Sequence, residues 1–69
     1  MTIQQLQYAL AVYRAGSISG AAAVLGLAQP NLSGIIRALE EELGYSIFLR
    51  NSKGVQATEK GVEALSLAA

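Results

Sequence analysis

The stretch from Ala28 to Gly44, AQPNLSGIIRALEEELG, constrains the fold of this chain more than any other. Leu32, Ile35, Ile36, Leu39 and Leu43 recur at the three-and-four spacing that lines one side of an α-helix, so that side has to be buried. Pro30 belongs in a first helical turn, where its missing N–H would have no partner anyway. Gly44, directly after the last apolar position, reads as a left-handed stop. The other side carries Asn31, Ser33, Gly34 and Arg37, then Glu40, Glu41 and Glu42, which read as a solvated face. One helix over about 29–43 therefore presents a short tip of amide and hydroxyl groups from Gln29, Asn31 and Ser33.

The preceding residues supply two partners for this helix. Thr2 and Gln5 form a capping-box pattern, and Ile3, Leu6, Leu10 and Tyr13, joined by Ala9 and Val12, make an apolar face that Gly16 ends. Of the turn residues Ser17, Ile18 and Ser19, Ser19 reads as the better N-cap for the short run Ala21 to Leu25, which Gly26 stops. Leu27 is expected to tuck into the core. A short Ala-rich helix, a tight turn and a longer helix with a polar tip form the layout of a helix-turn-helix. Ala21, Ala22 and Ala23 allow the two helices to approach closely.

After Gly44 the pattern becomes extended. Tyr45, Ile47 and Leu49 alternate with Ser46, Phe48 and Arg50, giving either a short strand or an irregular segment that buries both Ile47 and Phe48. Asn51 to Gly54 is a turn signal and Val55 to Ala57 a returning strand, so the pair forms a small hairpin, or wing. Thr58 is a natural N-cap, with Glu59 in the first turn, for a last helix bearing Val62, Ala64, Leu65 and Ala69. The fold class is mainly α, a winged helix-turn-helix with a two-stranded wing.

Sixty-nine residues make at most one small domain, near the size at which a single core is marginal. The chain has no cysteine and no histidine, which removes disulfides, thiolate metal sites and the commonest metal ligand. Neither a metal nor any other cofactor is expected. Three consecutive glutamates point in different directions on a helix, and no glycine-rich phosphate loop follows a strand, so an enzyme is not expected. No apolar run approaches the roughly 20 residues of a membrane span, and the N-terminus lacks the signal-peptide pattern. The chain reads as soluble and cytoplasmic. Five basic and five acidic residues cancel, a poor balance for a protein that meets a polyanion.

The order of motifs nevertheless resembles the N-terminal winged helix-turn-helix of the LysR-type transcriptional regulators. The matching pieces are Gly16-Ser17, Ala21-Ala22, Gln29-Pro30, Leu32-Ser33, Leu39-Glu40 through Leu43-Gly44, Phe48 to Arg50, and Thr58 to Gly61, and together they cover Leu6 to Gly61. The resemblance implies a bacterial dimeric regulator whose third helix, about 29–43, enters the major groove while the wing, about 50–56, meets the minor groove. It divides the chain into a DNA-binding domain over 1–57 and the start of a linker and dimerisation helix over 58–69. A small-molecule effector would act only through a domain not present here, and the 69 residues read as a domain excised from a longer regulator.

On this reading the partner is double-stranded DNA. Gln29, Asn31 and Ser33 carry groups that pair with base edges, and by resemblance Pro30 adds an apolar contact. For Gln29 and Ser33 the alternative is service to the helix start alone. Arg37 has two uses, a phosphate contact or a pair with Glu40 or Glu41. Arg50 contacts DNA backbone or steadies the wing, and Lys53 at the hairpin tip is placed for the minor groove or for solvent. Ser19 and Thr58 sit at helix starts that suit phosphate, although capping explains both. Val62, Leu65 and Ala69 are expected on a face that pairs with a second copy. Three departures from the family pattern weaken binding. Ala28 replaces a capping hydroxyl, and Gly20 and Gly34 stand where relatives are often basic. With zero net charge they imply weak nonspecific affinity and a shallow salt dependence. The same features motivate a competing reading, a dimerisation or protein-interaction module with vestigial DNA binding.

Overall fold

Hydroxyl side chains start three helices of the fold. The computed structural model describes residues 2–52 and 54–67. In chain order these form α1 (Ile3–Ala15), α2 (Ile18–Leu25), α3 (Gln29–Leu43), β1 (Phe48–Asn51), β2 (Gly54–Ala57) and α4 (Glu59–Ser66). Thr2 Oγ1 accepts from the Gln5 amide at 3.1 Å while Gln5 Oε1 accepts from the Thr2 amide at 2.9 Å, completing the expected capping box of α1. Thr58 Oγ1 accepts from the Gly61 amide at 2.9 Å and so caps α4. Helix α3 has no side-chain cap, since Ala28 occupies that position and Pro30 lies in its first turn.

The cap of α2 differs from the sequence expectation. Ser17, not Ser19, is its N-cap, with extended backbone and Oγ accepting from the Gly20 amide at 3.0 Å. Burial decides the matter. Ile18 is only 7% exposed, and starting the helix there turns this side chain inward and leaves Ser19 exposed in the first turn. Burial also moves the inner face of α1. Ala9 and Val12 are fully buried, whereas Ile3 and Tyr13, read as part of that face, are 76% and 48% exposed.

Leu32, Ile36 and Leu39 are fully buried along α3, with Ile35 and Leu43 at the margins. Against this seam lie Val12 of α1, Ala21 and Ala22 of α2, Ile47 and Phe48 before and within β1, and Leu65 of α4. Ile47 and Phe48 are both buried, so the irregular alternative holds for residues 45–47 and the strand begins only at Phe48. Strands β1 and β2 pair antiparallel with Phe48 opposite Ala57 and Asn51 opposite Gly54. The wing thus spans 48–57, slightly more than the expected 50–56. Lys53 lies outside the described residues.

Glu40 is not part of a solvated face. Its Oε2 accepts from the amides of Ile47 at 2.7 Å and Phe48 at 3.1 Å. Ile47 and Phe48 are buried at the point where the chain enters the strand, and the carboxylate satisfies N–H groups that would otherwise lack partners there. Leu65 is likewise corrected. It is 3% exposed and belongs to the core rather than to a free face, because α4 folds back on α1 and β2. That return requires Gly61, where a Cβ would run into the backbone carbonyl of Ile47. Lys60 adds a contact from outside, with Nζ 5.5 Å from the centroid of the Tyr45 ring.

Three substitutions test these assignments by urea unfolding. Gly61→Ala is expected to destabilise the chain by about 1–3 kcal/mol, since backbone must move to admit a methyl group. Gly34→Ala is expected to stabilise it by about 0.5–1 kcal/mol, because nothing lies within 4 Å of a Cβ at that helical position. Glu40→Ala is expected to cost about 1–3 kcal/mol for the amides left unpaired. A solvated glutamate would leave the midpoint unchanged.

Candidate nucleic-acid interface

Helix α3 has three working sides. The seam of Leu32, Ile36 and Leu39 faces the core, and at 3.6 residues per turn Gln29, Ser33 and Glu40 fall together on the side toward the wing. Pro30, Gly34 and Arg37 point outward and are exposed. Asn31 lies on the flank away from the wing, where it shares a shallow depression with Leu27, Ile35 and Ala38.

The wing side of α3 borders a groove of about 360 Å³ whose walls come from the starts of α2 and α3 and from the hairpin. Ser17, Ser19, Gln29, Ser33, Arg50 and Ser52 line it beside Ile18 and Val55, so among the described residues its polar surface is hydroxyl and amide with one cation and no carboxylate. Arg50 reaches this position by the alternation of a strand. Phe48 and Arg50 lie on the same face of β1, and with Phe48 anchored in the core, Arg50 overhangs α3. Its Nη1 donates to Ser33 Oγ at 3.0 Å.

The base of the wing is fixed by contacts between main chains. The Val55 amide donates to the carbonyl of Gly16 at 3.0 Å, joining the hairpin to the turn between α1 and α2. Gly54 has φ +130°, and a Cβ there would collide with the same Gly16 carbonyl. Both glycines are needed, Gly54 for the close approach and Gly16 for its left-handed φ of 73° at the end of α1.

The residues singled out in the sequence therefore fall into separate groups. Ser19, Gln29, Ser33 and Arg50 converge on the groove, with Pro30 and Arg37 on the adjoining outward side. Asn31 is exposed on the opposite flank. Thr58 is remote from this cluster in role, because its hydroxyl donates to the Ser46 carbonyl at 2.6 Å and accepts from the Gly61 amide, which are the bonds of a cap. Glu40 is engaged by the amides of Ile47 and Phe48, which weakens the case for a pair with Arg37. Val62 remains 46% exposed on α4, while Ala69, like Lys53, lies outside the described residues. Ser17 and Ser52 were not anticipated as groove residues. The spacing of Phe48 and Arg50 was a signal, available in the sequence, that Arg50 faces α3.

Residues 3–62 match the family model described as "Bacterial regulatory helix-turn-helix protein, lysR family". Over 69 residues the chain is 45% identical to the HTH-type transcriptional regulator AbaB of Streptomyces antibioticus, covering all of this chain and 23% of AbaB. It is 44% identical over 61 residues to the HTH-type transcriptional regulator BudR of Klebsiella aerogenes, covering 88% of this chain and 43% of BudR. It thus spans less than half the length of either relative. The solved CbnR_DBD–DNA complex shares its fold with a TM-score of 0.94 at 35% identity, over 99% of this chain and 78% of that one. The BenM_DBD/catB site 1 DNA complex does so with a TM-score of 0.92 at 40% identity, over 99% of this chain and 73% of that one. Since the family match runs unbroken from α1 into α4, the chain belongs to the lysR family of bacterial regulatory helix-turn-helix proteins.

Proposed function

We propose that this chain is a sequence-specific double-stranded DNA-binding domain of a bacterial transcriptional regulator, with α3 in the major groove and the wing at the adjacent minor groove. The observation that carries this reading is the joint groove, in which the polar start of α3 and the cation of the wing lie side by side and are hydrogen-bonded to each other. A helix start and a hairpin fixed to one another can address two adjacent grooves of one duplex. The DNA complexes of the CbnR and BenM domains, which share this fold, support DNA as the partner.

Gln29, Pro30, Asn31 and Ser33 are proposed to contact bases. Ser19, Arg37, Arg50 and Lys53 are proposed to contact backbone or the minor groove, with Thr58 contributing through the start of α4. Residues 1–57 form the DNA-binding unit and 58–69 begin a helix that pairs with a second copy through Val62 and Ala69. Leu65 supports that helix from inside. Effector recognition, if the whole regulator has it, belongs to a domain outside these 69 residues. The setting is the bacterial cytoplasm, consistent with the absence, among the described residues, of a helix long and apolar enough to cross a membrane.

Charge sets the expected strength. With Arg37, Arg50 and Lys53 as the cations proposed to meet phosphate, log K against log salt is expected to fall with a slope of about −2 to −3 per protomer. Fluorescence anisotropy with a duplex selected from a randomised library checks this, and equal affinity for selected and scrambled duplexes at low salt would rule the reading out. Gly34→Arg, which adds a cation on the outward side of α3, is expected to tighten binding to both duplexes and to steepen the slope by about one.

A further inference from the structure

The hydrogen bond between Arg50 and Ser33 fixes more than position. A guanidinium only donates, so Ser33 Oγ is the acceptor of the 3.0 Å bond and its own proton must point elsewhere. A serine inside a helix often returns that proton to the carbonyl one turn back. Among the described residues Ser33 Oγ has no hydrogen bond besides that from Arg50, which leaves its proton to the groove beside Gln29. Donation from a cation also polarises the hydroxyl and strengthens it as a donor.

We infer that Arg50 is a positioning residue that occupies one lone pair of Ser33 and turns its O–H toward the groove, so that Ser33 favours an acceptor on a base edge over the cytosine amino group. The major-groove acceptors are guanine O6 and N7, adenine N7 and thymine O4. The wing thereby takes part in sequence choice through α3 without itself touching that base. This inference rests on the DNA-binding reading proposed above. Its alternative is that Arg50 serves as a phosphate contact alone, which carries no sequence information.

The test uses the 69-residue chain fixed to beads and a randomised duplex library at low salt, with Ser33→Ala, Arg50→Met and Arg50→Lys assayed beside it and thermal unfolding by circular dichroism as the check on folding. The unmodified chain is expected to enrich a motif. Ser33→Ala and Arg50→Met are expected to lose the same base-pair preference, about tenfold, and the double variant no more than either alone. Arg50→Lys, whose ammonium also only donates, is expected to keep it. Uniform weakening by Arg50→Met with the preference intact, or losses that multiply in the double variant, would overturn the inference and leave the DNA-binding reading standing. No enrichment by the unmodified chain would overturn both.

Discussion

Close approach of main chains at small residues is the constraint on which this structure depends. A chain of 69 residues has few large side chains to bury, so its elements must pack at short range if they are to share one core. Ala9, Ala21, Ala22 and Ala64 occupy inner positions where larger residues would push the helices apart. Gly61 lets α4 meet the backbone of Ile47, and Gly54 lets the hairpin meet Gly16. Leu32, Ile36, Leu39, Ile47 and Val12 then fill the centre completely.

The same short-range packing sets the wing. The hairpin is bound to the turn before α2 through Gly16 and Val55, while Glu40 holds the entry to β1 and Arg50 reaches Ser33. Helix α3 is therefore attached to β1 at two points, one near each of its ends. A polar tip on an isolated helix would have freedom to rotate relative to the hairpin. Here the two surfaces that face the proposed duplex are parts of one unit, and the ordering that DNA binding would otherwise require is largely present beforehand.

Net charge of zero conflicts with DNA binding only when charge is treated as uniform. Among the described residues around the groove Arg50 is the one charged lining residue, and Glu40 is engaged by buried amides farther along α3. A local field of the right sign is thus compatible with a neutral chain. Its small size is also what makes hydrogen-bond direction, rather than attraction to phosphate, the more informative property of the site.

Local signals along the chain were enough to place the helices, their order and the hairpin. Three-and-four spacing, capping side chains and glycine stops are local, and Leu32, Ile36 and Leu39, the Thr2 and Gln5 box, Gly26, Gly44 and Thr58 all act within a few residues. The ordered motifs also showed the family. Tertiary structure decided the choice of Ser17 over Ser19 as a cap, the burial of Leu65 and the exposure of Ile3 and Tyr13, because each depends on what packs from elsewhere in the chain. It also decided the partners of Glu40 and Arg50, which lie seven and eight residues away for the first and seventeen for the second. A side chain's periodicity states which way it leaves its own element. Only the packed structure states which amide or hydroxyl waits there to be paired.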